Sequence, residues 1–223
     1  MRRDAPLSCV VVKEWLSMSE FLNSWNNMQN SIVVFAGVFD PVHNGHISAA
    51  ERALHFGSQV LFMPERVPQH KHSATAYKHR LTMLRKATAK NKAFSVIDYP
   101  KDHHWIADTF QWLKKKYPNK SFIWMVGSDV APLMHEWQGI DKLESLGVSR
   151  ILIVKREGND IDHFKEIGST AVTYIHRPIQ KHENISSTVI RADVKQSRKQ
   201  VNVLVYSYIK EHKLYSFADS ASK

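Results

Sequence analysis

Residues 32–46, Ile-Val-Val-Phe-Ala-Gly-Val-Phe-Asp-Pro-Val-His-Asn-Gly-His, constrain this chain more than any other stretch. Ile32 to Phe35 is a continuous apolar run rich in β-branched residues, the pattern of a strand buried on both faces. Gly37 permits a tight turn where backbone can approach a ligand, and Asp40-Pro41 punctuates the loop. Asn44 reads as the N-cap of a helix whose apolar positions Ile47, Ala50 and Leu54 recur at helical spacing until Gly57. A buried strand, a Gly-bearing loop and a helix start together form an anion site, because unpaired N–H groups and the helix dipole both favour negative charge there. His43 and His46, three residues apart at that helix start, flank whatever it holds. Two readings compete: a zinc pair, although the only cysteine is Cys9 and no carboxylate cluster nearby completes a ligand set, and incidental loop histidines in a chain that carries thirteen.

The rest of the chain repeats the theme. Apolar runs at 59–63, 94–97, 121–126, 150–154 and 171–175 read as further strands. Between them, helical spacing appears from about Thr75, around Trp105 to Lys116, and in short segments over 130–146. A helix capped by Ser186 is expected to run to about Ser197, and Val201, Leu204, Val205, Tyr208 and Ile209 form the apolar stripe of the last one. Strands alternating with helices predict an α/β, Rossmann-like, doubly wound fold: a mostly parallel sheet with helices on both faces. Ligands in such sheets bind at the carboxyl ends of the strands. The segments 37–46, 64–71, 127–129 and Arg156 all follow strands, so they are expected on one rim.

The string Ile185-Ser-Ser-Thr-Val-Ile-Arg191 is the second chemical station. Ser186 as N-cap leaves the amides of Ser187 and Thr188 facing an anion, and Ser187 and Arg191 share a helix face at i,i+4. The guanidinium is planar, always charged and bidentate, which suits a polyphosphate. Taken alone, the string reads better as an ordinary Ser-capped surface helix.

Together these two strings resemble the G-x-F-D-P-x-H-x-G-H and I-S-S-T-x-I-R signatures of the nucleotidyltransferase superfamily. Over about residues 31–216 the chain resembles bacterial nicotinate-nucleotide adenylyltransferases. That resemblance implies transfer of AMP from ATP to a pyridine mononucleotide, with nicotinate mononucleotide favoured, releasing pyrophosphate in NAD biosynthesis. It implies catalytic roles for His43, His46 and Arg191, and ATP contacts from Gly37, Val38, Phe39, Gly45, Gly127, Asp129, Arg156, Ser186, Ser187 and Thr188. Acceptor contacts are implied for Lys71 (in Pro68-Gln-His-Lys71), Ile106, Asp108, Thr109 and Trp137. Lys71 has a plain alternative as a solvated loop lysine, Asp129 as a helix cap, and Trp137 as a core residue. Where the family commonly carries threonine, this chain has Ile106, which leaves nicotinate against nicotinamide open. Mg²⁺ is implied with ATP, held mainly through phosphate oxygens. Rival readings are a different phosphate acceptor, such as phosphopantetheine, or a nucleotide- or RNA-binding module without catalysis.

Composition limits the classes. The formal net charge of +10 draws anions. The basic runs Lys114–Lys116 and Arg198-Lys199 fall near expected helix ends, and no aromatic-interleaved basic motif appears, so no nucleic-acid partner is expected. The sequence contains no membrane-length apolar run, a single cysteine suits a reducing compartment, and cytoplasm is the default. A homo-oligomer is compatible with all of this. Residues 1–30 stand outside the α/β alternation and read as an extension, part helical and part loose, with Val10–Val12 a short strand. Residues 31–216 form the catalytic domain and 217–223 a tail.

Overall fold

The computed structural model describes residues 18–68, 74–102, 106–155, 165–168, 170–176 and 185–217. Lys71, Arg156 and Val10–Val12 lie outside them. Among the described residues, seven strands form one sheet: β1 (Ser31–Gly37), β2 (Gln59–Pro64), β3 (Phe94–Val96), β4 (Ser121–Gly127), β5 (Val148–Lys155), β6 (Glu166–Ile167) and β7 (Thr170–His176). Their order is β3-β2-β1-β4-β5-β7-β6. All neighbouring pairs are parallel except β6 with β7. The two-residue β6 was not expected, since Glu166-Ile167 is too short to carry an alternation.

Among the described residues, six α-helices accompany the sheet: α1 (Met18–Asn30), α2 (Asn44–Ala53), α3 (Tyr77–Thr88), α4 (Ile106–Lys116), α5 (Ser187–Ala192) and α6 (Val203–Glu211). Along β1 the side chains alternate between two cores. Val33 and Phe35 pack with Ala49, Ala50 and Ala53 of α2, Met83 and Leu84 of α3, Ile190 of α5, and Val205 and Ile209 of α6. Ile32 and Val34 pack on the other side with Phe110 and Leu113 of α4 and with Met134, Ile140 and Leu143. Apolar side chains on both faces of the strands explain why β1 reads as an unbroken hydrophobic run. Gly57, in the connection from α2 to β2, is required by contact rather than dihedral. A Cβ there would lie 2.9 Å from the Ser31 carbonyl oxygen.

The strand order reverses between β1 and β4. Crossovers from β1 lead one way to β2 and β3, while β4 leads the other way to β5 and β7. The loops after β1 and β4 therefore diverge and open a crevice at the strands' carboxyl ends. Phe35 pairs with Met125, which brings Gly37 and Gly127 side by side on that rim.

Four local expectations change. His43, not Asn44, is the N-cap of α2, with extended backbone (φ −138°, ψ 170°). The α5 helix stops at Ala192 rather than Ser197 and is followed by a separate 3-10 turn, Gln196–Gln200. Asp193 interrupts it, its carboxylate accepting from the Gln196 amide at 3.0 Å, a competition with helical bonding typical of aspartate. Leu204 is exposed because it lies about 100° around α6 from Val205, which with Ile209 carries the buried face. α1 runs as a helix despite Asn23, Asn26 and Asn27.

Candidate active site

The loop from Gly37 to His43 is the centre of the rim. Its left-handed residue is not Gly37 but Phe39, at φ 49°. For a bulky side chain that conformation is a genuine outlier, held only when the surroundings fix it. The fixing is visible: the buried Phe39 ring sits edge-on to Phe35 (5.2 Å), His46 (5.1 Å) and Phe62 (5.8 Å). Phe39 thus faces the core, so its part in any ligand site is through its backbone. Val38 contributes its carbonyl inward, to the Arg80 guanidinium.

His43 and His46 are both buried, with ring centroids 3.7 Å apart and planes 28° apart, a stacked pair. The His43 amide donates to His46 Nδ1 at 3.2 Å. That nitrogen therefore accepts, and a neutral His46 ring carries its proton on Nε2. An imidazole fixed in this way is a preset donor for developing negative charge. Gly45, between them, is buried in the first turn of α2.

α5 is docked onto this same loop. Arg191 Nη1 donates to the Asp40 carbonyl at 2.7 Å, and Ser187 Oγ donates to the Pro41 carbonyl at 3.0 Å. Arg191 Nη2 reaches Thr188 Oγ1 at 3.2 Å, while Ser186 caps the helix by accepting from the Val189 amide. Two motifs about 150 residues apart meet at one turn. With six residues, however, α5 offers a smaller dipole than the longer helix expected, so its hydroxyls and guanidinium carry most of any anion grip.

On the β4 side, Ser128 follows Gly127 and is buried, its amide bonded to the Val154 carbonyl at 3.0 Å. Asp129 is exposed on the rim. Further along, Trp137 keeps one side against Trp124 (5.7 Å) and is only half-buried. Gly139, at φ 86°, lies over Ala107, where a Cβ would come within 2.8 Å of the alanine methyl. This contact clamps the segment after Trp137 onto the first turn of α4, which carries Ile106, Asp108 and the fully buried Thr109. Of the expected acceptor residues, Ile106, Asp108, Thr109 and Trp137 thus lie on the face of the sheet opposite α5, and Lys71 falls outside the described residues.

Sequence reading missed three residues that hold the rim in place. Arg80, 1% exposed, donates to the carbonyls of Val38, Arg66 and Thr75 at 2.8–2.9 Å. It therefore joins the loop after β1, the loop after β2 and the entry to α3. Burial lowers its pKa from the ordinary arginine value, a shift that Asp40 and Glu65 oppose. Arg66 extends the tie to the loop after β3 through the Tyr99 carbonyl (2.7 Å) and Asp98 (2.8 Å). Asp40, read as loop punctuation, is buried with Oδ2 accepting from the Thr75 amide (3.0 Å) and Oδ1 from the Tyr215 hydroxyl (2.7 Å). The sole sequence cue to Arg80 is a charged residue beside Leu81 and Leu84 on an otherwise apolar helix face.

A family model described as cytidylyltransferase-like matches residues 34–193. The chain is 30% identical over 195 residues to the nicotinate-nucleotide adenylyltransferase of Bacillus subtilis, covering 82% of this chain and 97% of that one. It is 33% identical over 196 residues to a probable nicotinate-nucleotide adenylyltransferase of Shouchella clausii, covering 82% and 96%. The chain belongs to this family. Among solved structures, the nicotinic acid mononucleotide adenylyltransferase of Plasmodium falciparum, complexed with NaAD, superposes with a TM-score of 0.70 at 22% identity, covering 85% of this chain and 98% of that one. At that identity the likeness speaks for the doubly wound cytidylyltransferase-like fold. Among the described residues, no helix is long and apolar enough to cross a membrane.

Proposed function

We propose that this member of the family transfers AMP from ATP to nicotinate mononucleotide, forming the dinucleotide and releasing pyrophosphate. The acceptor's 5′-phosphate oxygen attacks the α-phosphorus in line. A new P–O bond forms as the bond to the β-phosphate breaks, and no covalent enzyme intermediate is needed. One observation carries the reading: Arg191 and Ser187 are bonded to the carbonyls of Asp40 and Pro41, so that motif and the stacked histidines serve one turn.

His43 and His46 stabilise charge growing on the transferring phosphate, and Arg191 with Ser186, Ser187 and Thr188 holds the departing pyrophosphate. The backbone at Gly37, Val38, Phe39, Gly45 and Gly127 lines the nucleotide, Asp129 accepts from ribose hydroxyls, Lys71 serves the acceptor phosphate or the triphosphate, and Arg156 serves the adenine. Trp137 offers a flat face to the pyridinium, beside Ile106, Asp108 and Thr109. Mg²⁺ travels with the triphosphate and neutralises its charge. Both oxygens of the nearest buried carboxylate, Asp40, are already engaged by Thr75 and Tyr215, and no group of three or more potential side-chain ligands clusters among the described residues. The ion would be held mainly through phosphate oxygens.

The test is pyrophosphate release from ATP with nicotinate or nicotinamide mononucleotide as acceptor. A kcat/KM at least about tenfold higher for nicotinate is expected, a difference of about 1.4 kcal/mol in transition-state stabilisation. Equal values would overturn the base assignment, and release with neither acceptor would overturn adenylyl transfer to a pyridine.

A further inference from the structure

We propose that Tyr215, in the carboxyl-terminal 3-10 turn (Tyr215–Phe217), is a positioning residue of the active site, setting the Asp40 turn to which Arg191 is bonded. The inference rests on the adenylyl-transfer reading above.

Asp40 stands between two contacts. Its side chain takes the Tyr215 hydroxyl at 2.7 Å, and its main-chain carbonyl takes Arg191 Nη1 at 2.7 Å. A displacement of Asp40 therefore displaces the guanidinium, and with it Pro41, whose carbonyl holds Ser187. The next residue of the turn acts on the other end of α5: Ser216 Oγ accepts from the Val194 amide at 3.1 Å. Consecutive residues thus seize the loop before His43 and the chain just past Arg191.

The backbone is bent to achieve this. Lys213 and Tyr215 both lie in the left-handed region, at φ 50° and 57°, and neither is glycine. Such residues are strained and persist where surrounding contacts over-determine them. The contacts are the Asp40 and Val194 bonds together with Phe217, which packs edge-on to Tyr206 at 5.8 Å. Burial and the neighbouring Asp40 carboxylate push the Tyr215 phenol well above its ordinary value, so it remains a donor throughout the working range. A turn that served burial alone would need the ring and not the hydroxyl.

Tyr215→Phe separates the two roles, because it keeps the ring and removes the O–H. Its kcat is expected to fall about 10- to 100-fold, the size of effect that small misplacements produce, with KM for ATP changed less than threefold. In a double-mutant cycle with Arg191→Lys the losses are expected to be non-additive, because both act through Asp40. Wild-type kcat in Tyr215→Phe, or strict additivity, would overturn the proposal. Amide hydrogen exchange at 37–43 provides a readout independent of turnover: it is expected to quicken several-fold in Tyr215→Phe, and unchanged exchange would overturn the proposal. A wild-type protein that releases no pyrophosphate with any acceptor sinks the functional reading instead and leaves the exchange comparison to decide this one.

Discussion

Phe39 at φ 49° and Arg80 at 1% exposure show what single residues contribute here, and neither property is written in the local sequence. The histidines and Arg191 were legible as candidates because each sits in a short string of fixed spacing beside a helix start. Arg80 was not, because its three carbonyl partners lie 5, 14 and 42 residues away and converge only once the loops fold together. Asp40 looked like punctuation for the same reason, its hydroxyl partner being 175 residues on. Two predictions belong at this scale. His46→Ala removes a donor preset by the His43 amide, so kcat should fall about 100- to 1,000-fold while KM for the acceptor changes little. Steady-state kinetics with both substrates varied will check it, and a variant with full turnover would remove His46 from the chemistry. Arg80→Met leaves three carbonyls without their charged donor. The loss expected for breaking such a buried arrangement is about 3–5 kcal/mol, or roughly 6–20 °C in Tm for a domain of this size. Calorimetry showing a drop below about 3 °C would mean that the rim does not depend on it.

At the scale of elements, every parallel strand was readable because each carries an apolar-rich run, unbroken in β1, β2 and β4, which are buried on both faces. The antiparallel β6 was not, being two residues long. Helix ends were harder than helix cores: α5 ends at Ala192 through Asp193, a competition between side chain and backbone that periodicity does not register. The packing of α3 on α6 was also hidden, and it carries a titratable joint. His79 Nδ1 lies 2.9 Å from the Tyr208 hydroxyl, and the His79 ring is 5.3 Å from that of His212. Burial first, then Lys78 and His212, lower the His79 pKa below its ordinary value of 6.5. The folded state therefore binds that proton less readily than the unfolded chain does, so stability falls as pH drops through 6.5 and levels off below the folded-state value. Above pH 7.5 this contribution is absent. Tm measured from pH 8 to 5 should fall on the acid side, and His79→Gln should flatten that slope. An unchanged slope in the variant would place the sensitivity elsewhere.

For the molecule as a whole, the sheet divides its apolar contacts into two cores, and the reversal of strand order between β1 and β4 fixes where the site opens. That much followed from the alternation of strands and helices. The relation of α1 to the rest did not, because an amphipathic-looking stretch does not say whether its apolar side finds a surface. Leu22 and Trp25 of α1 are about half exposed, and neither belongs to either core. The described ties from α1 to the sheet are polar: Ser31 Oγ to the Asn27 carbonyl at 2.7 Å, and Lys120 Nζ to the Gln29 carbonyl at 3.1 Å. Ser31 has a second partner in Ser121 Oγ at 2.8 Å, so losing Asn27 does not strand its hydroxyl. The Lys120 bond is exposed and contributes little. Both cores, the β1–α2 turn and the docked α5 all lie beyond residue 30. A chain starting at Ser31 should therefore fold with a Tm within about 4 °C of the full chain, a difference of roughly 1 kcal/mol. It should also keep kcat and both KM values within twofold. A loss of cooperative melting, or a fall in kcat beyond tenfold, would show that α1 reaches the catalytic rim through contacts other than these.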